Sequence, residues 1–327
     1  MSRPATSPSA SLKRVRSLAD RGTTLSRTPS TGSGSGRVKR KLDLLPYGLI
    51  APLVLFIVAL SLLPAAVTTI QSFFRVQPLD PPVRFIGLGN FERLLGNPAV
   101  LTSMSNTGVY VLVGVVLSTL LGILMAVTLQ RKFVGRSLLI AILILPWALP
   151  GVVAGVVWVG IWDPNSGLLN SVLTSLGLID HYQVFLGADK LVTILAIELV
   201  QIWQIVPLST LIILASLQII PIELYEACEL DCGSPWQAFL HITLPLARPG
   251  IAIATVQAII ATLNVFDQPF VLNGAATTGS SLTMQTYFVS FQDLDFGQGY
   301  ALSLLITIAT LVISLVAVRI LYRKVEF

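Results

Sequence analysis

Apolar residues run along this chain in long unbroken stretches. They lack the strict alternation of a half-buried strand and the single stripe of a soluble helix. Six stretches stand out, at about residues 48–70, 108–129, 138–162, 191–217, 251–272 and 300–320. Each matches the roughly 20 residues that a helix needs to cross ~30 Å of hydrocarbon. Membrane β-strands would alternate instead. The pattern predicts an all-α polytopic membrane protein with six transmembrane helices.

Two segments depart from it. Residues 1–44 are rich in Ser, Thr, Gly and Arg and are expected to be a disordered, basic cytoplasmic tail. A signal peptide does not fit, because the first apolar run is long enough to span and no small-residue cleavage site ends it. Residues 45–327 then form one transmembrane domain. Its third stretch carries Pro146 and Pro150, followed by Gly151, Gly155 and Gly160. Prolines remove backbone donors and kink helices, while glycines admit a close neighbour. The segment Asp163-Pro164-Asn165-Ser166-Gly167 reads as a turn, leading into a short interfacial helix.

Composition supports the membrane reading. The chain is 54% hydrophobic and 11% charged, against about 25% charged in soluble domains. Ten Lys and Arg residues precede the first apolar stretch, and Arg131, Lys132, Arg136, Arg248, Arg319, Arg323 and Lys324 fall on the same predicted side. The other side receives Arg75, Arg84, Arg93 and Lys190. This asymmetry predicts a plasma-membrane protein with both termini cytoplasmic. It also accounts for the net charge of +5 without a nucleic-acid partner; membrane lipids are the surroundings.

Candidate chemistry is sparse. No G-x-x-x-x-G-K-[ST] pattern is present, so the chain is not expected to hydrolyse ATP. His181 and His241 fall on opposite predicted sides, and neither a catalytic cluster nor a metal site emerges. Cys228 and Cys232 stand one helical turn apart on the cytoplasmic side, where free thiols are expected rather than a disulfide.

Polar residues concentrate in three places. An island at about residues 218–248 holds Glu223, Glu226, Ala227, Glu229, Asp231, Gly233 and Trp236, and ends at Leu244-Pro245. Four carboxylates between two apolar spans must lie outside the bilayer, where a charged partner can meet them. In the fifth stretch, Gln257, Asn264 and Gln268 fall within about 20° of one line at helical spacing, with Asp267 about 80° away. In the fourth, Glu198, Gln201 and Gln204 define a broad polar face, with Trp203 across from part of it. Polar groups are costly in lipid and usually face a cavity or a partner. These seven either line a solute pathway or bond neighbouring helices, and Glu198 and Asp267 have a third possible role in gating.

Four segments carry a family resemblance. They are Phe85–Phe91 (F-x-G-L-x-N-F), the turn at Asp163–Asn170, the island from Glu226 to Pro245, and Phe291–Gly297 (F-x-x-x-D-F-G). From about Leu45 onward the chain resembles the permeases of carbohydrate-type ABC importers, of the MalF- and UgpA-like first-subunit kind. The resemblance implies a type I ABC importer permease fold. It makes the island the coupling (EAA) loop, with Glu226, Ala227, Glu229, Asp231, Gly233, Leu244 and Pro245 meeting an ATPase. Departures are Cys228 for the second alanine and Cys232 at the usual glycine position, with Gly233 one residue later.

The resemblance also implies partners: a MalG-like second permease subunit, two ATPase subunits and an extracytoplasmic solute-binding protein. No cofactor is expected on this chain; ATP and Mg belong to the ATPase. The cargo would be a sugar or a sugar-like solute such as a glycerophosphate derivative. The alternatives are an importer permease for a non-sugar solute and, from another class, an ion-coupled secondary transporter. A membrane enzyme would need a catalytic cluster that the sequence lacks.

Overall fold

The computed structural model describes residues 45–231 and 234–322. The predicted disordered tail, Cys232, Gly233, Arg323 and Lys324 lie outside the described residues. Contacts divide the chain into residues 1–54 and 55–327. The described part of the first unit, residues 45–54, is helical. The rest of the description concerns the second.

The described residues are overwhelmingly helical. In chain order, the helices are α1 (Tyr47–Gln71), α2 (Gly89–Leu95), α3 (Pro98–Gln130), α4 (Arg136–Ala148), α5 (Gly151–Trp162), α6 (Leu168–Ser175) and α7 (Lys190–Leu217). They continue with α8 (Ile222–Asp231), α9 (Pro235–Ala238), α10 (Arg248–Leu263), α11 (Asp267–Asn273), α12 (Leu282–Tyr287) and α13 (Phe296–Leu321). Strands β1 (Phe74–Arg75) and β2 (Arg84–Phe85) pair antiparallel in a small hairpin.

Among the described residues, five helical segments are long and apolar enough to cross a membrane: α1, α3, α7, α10 with α11, and α13. The pair α4 and α5 makes a sixth if taken as one span, but it is bent by 99°. The third stretch is therefore a break rather than a mild kink. Leu149 is extended (φ −78°, ψ 135°), as the residue before a proline prefers, and Pro150 opens α5 without an N–H to offer. The fifth stretch is also discontinuous. Residues 264–266 separate α10 from α11, so the single helical wheel that grouped Gln257, Asn264 and Gln268 does not run through it.

The central helix is α7, packed against α3, α10 and α4. Along α3, Gly114, Ser118, Gly122 and Ala126 recur every fourth position, and all four are buried. Small residues at this spacing let helix backbones approach. A Cβ on Gly122 would stand 3.0 Å from Ser209 Cβ of α7. Two of the long helices start at side-chain caps: Asn97 accepts from Ala99 N, and Asp189 from Val192 N.

Two of the sequence motifs meet in space. Asp295, buried at the start of α13, accepts from Gln77 Nε2 at 2.5 Å and from Arg93 Nη1 at 3.0 Å. Arg93 also donates to Asn90 Oδ1, and Asn90 donates to the carbonyls of Ser72 and Phe74. A Cβ on Gly297 would lie 2.6 Å from Phe74 O. The F-x-G-L-x-N-F and F-x-x-x-D-F-G segments thus clamp the hairpin to α13. At the turn after α5, Asp163 accepts from the N–H groups of Asn165 and Ser166 and from the Ser166 hydroxyl. α6 follows, as expected.

Candidate functional site

Two places bring the predicted polar residues together: one on the loop region between α7 and α10, the other among the helix breaks.

On the loop, α8 has two sides. Cys228 is buried and Tyr225 half-buried, whereas Glu223, Glu226, Ala227, Glu229 and Leu230 are exposed, Leu230 at 90%. The Tyr225 hydroxyl lies 3.1 Å from Thr243 Oγ1 and accepts from Gln130 Nε2 at 3.4 Å. Tyr225, Ile242, Leu244 and Leu246 pack on a cluster formed by Leu129, Ile213, Leu217, Ala247 and Ile251. The inner side of the island is therefore keyed into the ends of α3, α7 and α10. Its outer side presents carboxylates beside the stacked rings of Trp236 and Phe239, centroids 5.2 Å apart. Between α3's end and α8–α9 lies a groove of ≈ 870 Å³ that includes Arg131, Lys132 and Glu229. Leu244 and Pro245 are half-buried in a short helix before α10. Of Asp231 only the backbone is described, and Gly233 lies outside the described residues.

The thiol expectation needs correction: Cys228 is disulfide-bonded.

Among the helix breaks lies a cavity of ≈ 320 Å³. Gln201, Gln204, Gln257, Asn264, Asp267 and Gln268 all line it, together with Trp147, Gly151 and Phe266. Glu198 does not. It is fully buried between α3 and α10, where a Cβ on Gly114 would collide with its Oε1 and stand 2.6 Å from Thr262 Cγ2. Neither carboxylate oxygen of Glu198 has a hydrogen-bond partner. Trp203 stands edge-on to Trp158 at 5.7 Å, away from the cavity lining.

The breaks release backbone carbonyls, and in a membrane each needs a donor. The unbroken helix α7 supplies two. Gln204 Nε2 donates to Pro146 O (3.4 Å) and Leu149 O (3.2 Å) at the α4–α5 break. Gln201 Nε2 donates to Ala261 O at 2.9 Å, just before the α10–α11 break. Thr283 and Ser281 serve Leu263 O and Val265 O. Gln268 donates to Gln204 Oε1, so one residue ties both breaks together. Gly151 packs directly on Asp267, and a Cβ there would meet its carboxylate. Periodicity did not reveal Trp147, Gly151 and Phe266 as lining residues. For Trp147 and Gly151 the sequence signal was the Pro146/Pro150 pair, which marks a break but not the side on which it opens; Phe266, at the other break, carried none.

A family profile described as "Binding-protein-dependent transport system inner membrane component" matches residues 118–326. Among curated proteins, the chain is 31% identical to the trehalose/maltose transport system permease protein MalF of Thermococcus litoralis, over 88% of this chain and 96% of that one. It is 32% identical to the arabinooligosaccharides transport system permease protein AraP of Halalkalibacterium halodurans, over 83% and 85%. It is 30% identical to the diacetylchitobiose uptake system permease protein NgcF of Streptomyces coelicolor, over 88% and 87%. Among solved structures, a chain of a bacterial ABC transporter for alginate import superposes with a TM-score of 0.74 at 22% identity, covering 87% of this chain and 97% of that one. That likeness establishes the type I importer permease fold. The family assignment favours an importer over the ion-coupled alternative. The chain belongs to the family of binding-protein-dependent transport system inner membrane components, the permease subunits of ABC importers.

Proposed function

We propose that this chain is one half of the permease of a sugar or oligosaccharide importer, driven by ATP hydrolysis on separate subunits. The observation that carries the reading is the two-sided island. Its inner side is keyed into the ends of three spans, and its outer side offers carboxylates and aromatic rings. Glu226, Ala227 and Glu229 would meet the ATPase, with Asp231 and Gly233 completing the contact. Leu244 and Pro245 would pass its movement into α10. Rigid-body transfer of this kind needs a stiff, packed link, and the cluster around Tyr225 and Leu246 supplies one. Positive-inside asymmetry puts the island and both termini in the cytoplasm. A second permease subunit and an extracytoplasmic solute-binding protein complete the machine.

The sugar reading rests on the trehalose/maltose, arabinooligosaccharide and diacetylchitobiose names borne by the relatives. The amide-lined cavity beside Trp147 suits a hydroxyl-rich solute with an apolar face. The test is uptake by the whole importer in proteoliposomes with its binding protein, across a saccharide panel. Uptake of one saccharide that requires enclosed ATP is expected. Uptake without ATP, or of no saccharide at all, would contradict the reading.

A further inference from the structure

The cavity's hydrogen-bonding capacity is lopsided. Gln201 and Gln204 donate to the backbone carbonyls of Ala261, Pro146 and Leu149, and Asn264 donates to Ile260 O. A carbonyl only accepts, so each of these amides must turn its NH2 toward the backbone. That fixes Gln204 Oε1 as an acceptor, and Gln268 spends its own NH2 on it. Each of these amides spends an N–H on such a bond, whereas the Gln257 amide makes none. Gln201 Oε1 and Gln257 Oε1 are buried without a partner. Asp267 makes no hydrogen bond or ion pair and is the only ionisable side chain among the described residues lining the cavity. The 70 residues between Arg248 and Arg319 contain no Lys, Arg or His.

Resting on the importer reading above, we infer that the cavity selects neutral, hydroxyl-donating saccharides and rejects anionic ones. A sugar hydroxyl can donate to Asp267, and hydrogen bonds to a carboxylate are the stronger kind. A phosphate or uronate brings negative charge to a site that has a carboxylate and no lining cation. Discrimination then comes from like-charge repulsion as much as from attraction. Glycerophosphate derivatives and acidic oligosaccharides fall outside the predicted cargo.

The test compares uptake by the assembled importer, with one binding protein throughout, of neutral disaccharides against a glycerophosphodiester and a uronic-acid oligosaccharide. The wild type should favour the neutral class. Asp267→Asn should lower the neutral-to-anionic ratio of kcat/KM by about tenfold or more, and Asp267→Glu should restore it. If Asp267→Asn does not assemble, the wild-type and Asp267→Glu ratios decide. An anionic saccharide carried as well as the neutral ones would overturn the inference while leaving the sugar-importer reading intact. An unchanged ratio in Asp267→Asn would also overturn it. If no saccharide is carried, the importer reading for sugars and this inference fall together.

Discussion

At the scale of single residues, polar side chains inside the spans divide by what they bond. Gln204 serves two backbone carbonyls and Gln268, so it acts as a brace. Replacing it with Leu removes the donor and leaves the carbonyls unmet, at a cost of about 1–3 kcal/mol each where no other donor reaches them. Gln204→Leu should therefore lower the midpoint of thermal unfolding of the purified complex. An unchanged midpoint would mean that the breaks are held by something else. Asp163, at the turn after α5, is different. Backbone N–H groups of Ser166 and Asn165 hold its carboxyl below the usual range. Its stabilising contribution is complete above the unfolded pKa and fades as pH falls through the lower folded value. The stability difference between wild type and Asp163→Ala should be flat from pH 8 to 5 and shrink only below about pH 4. A difference that already narrowed near pH 6 would contradict that.

At the scale of elements, the apolar pattern revealed where helices lie but not where they break. Pro146 and Pro150 signalled disruption, yet a 99° bend depends on which carbonyls find donors elsewhere in the fold. The break at residues 264–266 has no proline within it. Gln257, Asn264 and Gln268 do share a cavity, but the discontinuity brings them there and not one helix face. Glu198 was grouped with Gln201 and Gln204 by angle alone, and the close approach of Gly114 instead seals it between helices. The outer clamp was legible only as two separate motifs, because Gln77 and Asp295 are 218 positions apart. Close approach gives two further predictions. Gly114→Ala would force a Cβ against Glu198 and Thr262, and Gly297→Ala would force one against Phe74 O. Each should destabilise the chain by about 1–3 kcal/mol, read as a lower unfolding midpoint. Ser103→Ala, at a buried contact with Ser280 elsewhere on α3, should cost less. Equal losses in all three would argue against the close-approach explanation.

At the scale of the whole molecule, the proposed function depends on connecting the island to the cavity. The inner side of the island packs, through Tyr225 on α8 and Leu246 just before α10, on the cluster that includes Ala247 and Ile251, and α10 runs from there to the break beside Asp267. Motion at Glu226 therefore has a packed route to the cavity wall. The island's place between two spans could be read from its carboxylates. Its keying into three spans could not, because Tyr225 meets Gln130, 95 positions earlier. The most direct measurement is the ATPase rate of the reconstituted complex with its loaded binding protein, comparing wild type with Glu226→Lys. Coupling through this face predicts that Glu226→Lys abolishes most of the solute-stimulated rate while the chain still inserts and pairs with its permease partner. Full stimulation in Glu226→Lys would contradict the coupling role of this face.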